Sequence, residues 1–234
     1  MMNKITIQTS ILTMSQTLFM GMIDAYTFNT FNGTFASAQT GNLVIFGIAL
    51  VKEGFQKASI HIPVFAGFLV GAIFAQLIRK YLKKSLEISP LNQLRFFTVI
   101  SIVISGIILL IEEALPSATS LLLITLGFFA SYELTIFNHI GKTSVNNGIM
   151  TGNIKNFGNL ISDFIQNPQK EIGFKICHYG INIIIFICGV IVGTFYLSQL
   201  AESIMLTGIL LNSVILLGLL ITKDPAPQET VNNQ

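Results

Sequence analysis

The stretch FASAQTGNLVIFG, residues 35–47, has a partial second copy in GIMTGNIKNFG, residues 148–158: Thr-Gly-Asn, then Phe-Gly four residues on. Both copies lie in otherwise apolar sequence, and how they are read decides the fold. Hydrophobic residues make up 52% of the 234-residue chain and charged residues 10%, with a mean hydropathy of +0.71. The apolar residues gather in runs of about twenty, the length a helix needs to cross a bilayer's hydrocarbon core. The expectation is an all-α, multi-pass membrane protein with no room for a soluble catalytic domain.

Six segments read as full spans: 7–29, 60–81, 94–111, 117–138, 174–197 and 203–222. The two segments that carry the repeat, 37–51 and 147–166, are shorter or wetter, and the second holds Asn153, Lys155, Asn156, Asn159 and Asp163. Cytoplasmic loops are enriched in Lys and Arg, which separates the two topologies. If all eight segments cross, six basic residues face each side and Lys155 is in the membrane. If the two repeat segments enter and return on one side, eleven face the cytoplasm and only Lys52 and Lys57 face away. The charge pattern therefore predicts six spans plus two re-entrant or broken segments, with both termini cytoplasmic.

The repeat extends outward from the tripeptide. At an offset of 109, FMGMIDAYTFN (19–29) aligns with FFASYELTIFN (128–138), placing Asp24 opposite Glu133 and Asn29 opposite Asn138. Further on, Gly67-xxx-Gly71 matches Gly189-xxx-Gly193. These small-xxx-small faces suit close helix packing. Three spans per half is an odd number, so the second half enters the membrane inverted, as in many secondary transporters and some channels. The expected units are a first repeat at 1–115, a second at 116–222, and a polar, disordered tail at 223–234. The N-terminal MMNKITIQTSILTMSQTLFM resembles a signal peptide but runs on into Asp24 without a small-residue cleavage site, so it reads as a retained first helix.

The motif set Gly21, Asp24-Ala25, Phe35, Thr40-Gly41-Asn42 and Gly47 resembles the YoaK family of bacterial multi-pass membrane proteins, a domain of unknown function, over essentially the whole chain. The resemblance implies a bacterial inner-membrane location and supplies no substrate. The second half carries Ser131-Tyr132-Glu133 where that family pattern leads to Gln followed by Asn.

The chemistry is expected at the breaks. Gly41 and Gly152 allow tight turns or close approach, while Thr40 and Asn42, or Thr151 and Asn153, can cap the orphan amides of a helix that starts there. A half-helix N-terminus within the membrane favours an anionic group. The structural alternative is that Thr and Asn only satisfy the broken backbone and pin neighbours. Asp24 and Glu133 are the sharper signal, because an ionisable side chain in a span usually faces a cavity or partner. Inversion puts these acids at different depths, as two vestibules. Asn29, Asn32, Asn138 and His139 follow them. His61 and His178, at helix starts, read as interfacial, and Cys177 and Cys188 as core residues too far apart for a disulfide.

No His, Cys and carboxylate cluster has metal spacing, and no hydrolase or Walker pattern occurs. Basic residues form no patch for nucleic acid. The reading is a non-enzymatic, cofactor-free secondary transporter or permease for a small polar solute, able to couple to protons, with Asp24, Asn29, Thr40, Gly41, Asn42, Glu133, Asn138, Thr151, Gly152 and Asn153 along its route. Alternatives are a passive channel and an accessory subunit. The expected partners are the lipid bilayer, a small-molecule or ion substrate, and a second copy in a homodimer.

Overall fold

The computed structural model describes residues 4–85, 88–199 and 203–222; the tail assigned to 223–234 lies outside them. The long apolar runs form helices: α1 (Lys4–Thr30), α4 (His61–Ser85), α5 (Pro90–Ala114), α6 (Thr119–Ile136), α8 (Lys170–Gln199) and α9 (Ile204–Ile221). Shorter helices occupy the repeat segments: α2 (Gln39–Lys52), α3 (Phe55–Ala58) and α7 (Met150–Gln166). A small antiparallel hairpin, β1 (His139–Ile140) with β2 (Thr143–Ser144), precedes α7. Local signals fit these bounds. Ser89 caps α5 ahead of Pro90, and Ser203 caps α9.

Among the described residues five helices are long and apolar enough to cross a membrane: α3 and α4 taken together, α5, α6, α8 and α9. The chain is therefore an all-α, integral, multi-pass membrane protein. α1 has 27 residues, about 40 Å of helix. Its hydropathy is reduced by Thr13, Gln16, Thr17, Asp24 and Thr27, all buried: Gln16 and Thr17 bond other helices, and Thr13, Asp24 and Thr27 bond the loops packed beside α1.

Contacts between named residues define how the helices run. Thr17 of α1 bonds Asn182 of α8, and Gly21 and Gly189 pack closely further along, so α1 and α8 run parallel. α4 and α6 are also parallel: Gly67 lies against Ile124, Gly71 against Phe128, and Arg79 reaches the Thr135 carbonyl. α5 and α9 are antiparallel. Arg95 near the start of α5 donates to the Leu219 and Thr222 carbonyls, while Glu112 near its end accepts from Ser203 at the start of α9. Glu112 also accepts from Tyr26, which joins the ends of α1 and α5. Hence α1, α5 and α8 point one way, and α4, α6 and α9 the other.

Glycines make the tightest of these packings possible. A Cβ on Gly67, Gly71 or Gly127 would overlap the backbone of the facing helix in the α4–α6 pair, and Gly21, Gly189 and Gly193 play the same part between α1 and α8. In lipid, where apolar burial gives helices little net attraction, such close backbone approach is a main source of association. Phe19, Met20, Ile23, Leu126, Phe129 and Tyr132 fill the centre. Cys177 and Cys188 lie on the exterior and are not core residues: they share the face of α8 turned away from the buried Tyr179, Asn182 and Gly189.

Candidate functional site

α1 ends at Thr30, and the chain reverses through two left-handed residues, Asn32 (φ 48°) and Gly33 (φ 76°). It then descends beside the helix it has just left. Ala36 N–H donates to Thr27 Oγ1 (3.2 Å), and Ser37 donates to both carboxyl oxygens of Asp24, from its backbone N–H (2.9 Å) and its hydroxyl (2.5 Å). Asp24 is thus the anchor for a loop folded inward from the Thr30 end. From there α2 departs, and Thr34 Oγ1 with His61 Nδ1 (3.1 Å) ties the start of the excursion to its return.

The second loop rises from the other end. His139 N–H donates to Thr13, Gly141 N–H to Ser10, and Asn146 shares a cluster with Asn182 and Thr17, so the chain dips to Ser10 at the hairpin and then climbs along α1. At Gly148 it reaches Met20 and the first loop: a Cβ there would lie 2.7 Å from the Ser37 Cβ and Oγ and 2.9 Å from Met20 Cγ. Only glycine fits so close an approach. α7 then turns back along α8, with Phe157 against Gly180 and Phe164 against Gly173. Thr143 Oγ1 bonds His178 Nδ1 (2.8 Å), a second tie between a loop and the helix that follows it.

The two loops therefore enter from opposite ends and meet at Ser37 and Gly148. Beside the junction lies a cavity of about 530 Å³, lined by Asp24 and Asn29 from α1, Phe28 and Phe35, Thr151 at the start of α7, and Phe186 of α8. Its wall is mainly apolar, from these rings and from Met150, Ile154 and Val190, and its polar side chains include Asp24, Asn29 and Thr151, next to the partial positive end of α7.

The remaining residues singled out from sequence fall elsewhere. Thr40 is exposed on α2, Gly41 packs beside Phe35, and Gly152 lies near Asn146. Asn138 bonds the Thr135 carbonyl and His139 just after α6. Glu133 is fully buried against Ser101 and does not line the cavity.

The capping role expected for Thr-Gly-Asn is corrected. α2 and α7 begin at Gln39 and Met150, one residue before each tripeptide, and neither has a side-chain cap. The asparagines instead turn back onto their own loops. Asn42 accepts from Phe35 N–H (2.8 Å) and donates to its carbonyl (2.7 Å), and Asn153 does the same to Asn146 at 3.0 and 2.6 Å. Each clamp fixes a non-helical backbone unit that lipid could not satisfy. His61 is also corrected: it is buried, and both it and His178 act as loop ties.

Sequence reading missed Ser37, Gly148, Asn146 and Asn182. Extending the repeat upstream from Thr-Gly-Asn, at the spacing of the tripeptides themselves, sets Phe35 opposite Asn146 and Ser37 opposite Gly148, and that signal was available. His139, in the hairpin outside the helices, has its pKa held below the ordinary 6.5 by partial burial and then by the Arg79 charge. Among the described residues no three His, Cys, Asp or Glu side chains converge as a metal site.

No curated protein and no solved structure matches the chain. Residues 12–227 match DUF1275, described as a protein of unknown function. With that match covering most of its length, this multi-pass membrane protein belongs to the DUF1275 family.

Proposed function

We propose that the protein is a small permease of the bacterial inner membrane, with six spans, two re-entrant segments and an inverted internal repeat, moving a small polar solute past Asp24. The observation that carries this reading is the meeting of two oppositely directed loops at Ser37 and Gly148, beside the Asp24 cavity. A bundle held only by spanning helices has no need for such breaks. Paired short helices whose N-termini point to the interior are a recurrent way to build a solute or ion path.

The helix directions support six spans over eight. Were α2 and α7 also to cross, α5 and α9 would run the same way, yet Arg95 meets the end of α9 and Glu112 its start. The resemblance of the sequence to the YoaK family, and the excess of basic residues at the Lys4 end, support an inner-membrane location with cytoplasmic termini.

The repeat is supported by matching contacts. Gly67, Gly71 and Gly127 relate α4 to α6 as Gly189, Gly193 and Gly21 relate α8 to α1. This correspondence sets Gly21 on Gly127 and Tyr26 on Tyr132, about one helical turn from the register that pairs Asp24 with Glu133. Asp24 then falls opposite Ala130, and Ser37 opposite Gly148. The anchor couple Asp24–Ser37 is replaced as a couple in the second half, so the route is asymmetric, with its acid in the first.

The polar face of α7, including Lys155, Asn159 and Ser162, is exposed on the outside of one chain. A second copy covering it in a homodimer would keep that face from lipid.

The experiment is solute flux into proteoliposomes, with and without an imposed proton gradient, for wild type and Asp24→Asn. Gradient-dependent flux lost in the variant supports a coupled permease. Flux indifferent to the gradient makes the protein a channel. No flux for any polar solute, with a partner that copurifies, makes it an accessory subunit.

A further inference from the structure

The cavity accounts for Asp24 but leaves Glu133 without a task. Glu133 is fully buried, and its Oε1 lies 2.5 Å from the Ser101 hydroxyl. Its Oε2 has no hydrogen-bond partner among the described protein atoms. Asn147 is fully buried too. Its amide nitrogen donates to the Glu133 backbone carbonyl (3.2 Å), and its Oδ1 is likewise unpartnered. One turn beyond Ser101 on α5, the buried Ser105 Oγ is a third such atom.

Hydrogens are short at this point. Ser101 has one hydroxyl hydrogen and faces two acceptors, Glu133 Oε1 and the Phe97 carbonyl at 3.2 Å. The Phe97 carbonyl already accepts from Tyr132 (2.8 Å). The ion pairs among the described residues, Lys57–Glu53 and Lys175–Glu171, involve none of these groups. A buried acid with one shared hydroxyl donor, one unpartnered oxygen and no countercharge is costly inside a membrane protein.

We propose that Glu133, Asn147, Ser101 and Ser105 form a site for one small cation, a proton or a sodium ion, separate from the Asp24 cavity. Carboxylate, amide carbonyl and hydroxyl oxygens are the hard ligands that sodium takes, and a proton on the carboxyl group would supply the missing hydrogen. An anion or a bulky solute is excluded by the acceptor chemistry and by complete burial. The site rests on the permease reading only for its role, which is to hold the coupling ion. Glu133 stands opposite Thr27 in the repeat register, so the second half holds the ion and the first half the solute.

The test needs no transport. Full-length protein in nanodiscs is melted by circular dichroism in sodium chloride and in choline chloride at equal ionic strength. Infrared spectra at neutral pH report the carbonyl stretch of any protonated carboxyl group. In the sodium arm, sodium raises Tm by about 2 to 4 °C in wild type and Asp24→Asn but not in Glu133→Gln. In the proton arm, sodium does nothing, a protonated-carboxyl band is lost in Glu133→Gln, and that variant melts with wild type. Asn147→Ala keeps the acid and serves if Glu133→Gln does not fold; it must weaken apparent sodium affinity about tenfold or move the band. Absence of both signals overturns the site, as does a sodium shift that survives Glu133→Gln or is unchanged in Asn147→Ala. Because both readouts are binding signatures, their failure is distinct from absence of flux.

Discussion

Replacing Asp24 separates its anchoring role from its chemistry. Asp24→Ala removes the acceptors for the Ser37 N–H and hydroxyl, at 2.9 and 2.5 Å. Leaving that buried N–H unsatisfied costs about 1–3 kcal/mol, and the hydroxyl bond contributes about 1 kcal/mol more. The total of about 2–4 kcal/mol corresponds to a fall in Tm of about 4 to 16 °C for a chain of this size. Asp24→Asn keeps both bonds: its amide oxygen accepts from the Ser37 N–H, and its nitrogen donates to the Ser37 hydroxyl. It is expected to melt within about 2 °C of wild type while losing flux. Thermal melts by circular dichroism in nanodiscs, alongside proteoliposome flux, report both quantities. An Asp24→Ala protein that melts with wild type, or an Asp24→Asn protein that melts with Asp24→Ala, would refute the anchor.

Asn42→Ala and Asn153→Ala each release a clamp on a backbone N–H and carbonyl; both should lower Tm, by about 1–3 kcal/mol in stability, where a change confined to solute affinity would contradict the clamp. Gly71→Ile drives a side chain into the Phe128 backbone and should separate α4 from α6, seen as loss of monodisperse protein on size-exclusion chromatography; a normal profile and melt would contradict the packing. His139 favours its neutral form in the folded protein, so the unfolded chain takes up the proton first as pH falls below about 6.5. Stability should be level above that pH and decline below it, and His139→Gln should remove that part of the slope in melts across pH 5–8.

Much of the helical layout was legible because a bilayer imposes a simple demand, about twenty apolar residues per crossing, that α4, α5, α6, α8 and α9 meet openly. The breaks were legible too, since Gly beside Thr and Asn is out of place in a lipid-facing helix. What the asparagines do there was not: Asn42 and Asn153 reach backbone seven residues earlier, a contact set by the path of the loop and invisible to helical periodicity. The close approaches of α1 to α8 and of α4 to α6 follow where glycine admits a neighbouring backbone, which residue type along one helix does not show. His61 looked interfacial because position along a helix says nothing about which loop returns to it.

Whether the two repeat segments enter from opposite faces can be read by single-cysteine accessibility. With Cys177 and Cys188 replaced by alanine, Gln56→Cys reports the short helix α3 that follows α2 and Asn167→Cys the turn after α7, each probed with a membrane-impermeant thiol reagent in intact cells and in inverted vesicles. Position 56 should label only in intact cells and position 167 only in inverted vesicles. Labelling of both from the cytoplasmic face would contradict entry from opposite faces and restore eight crossing segments.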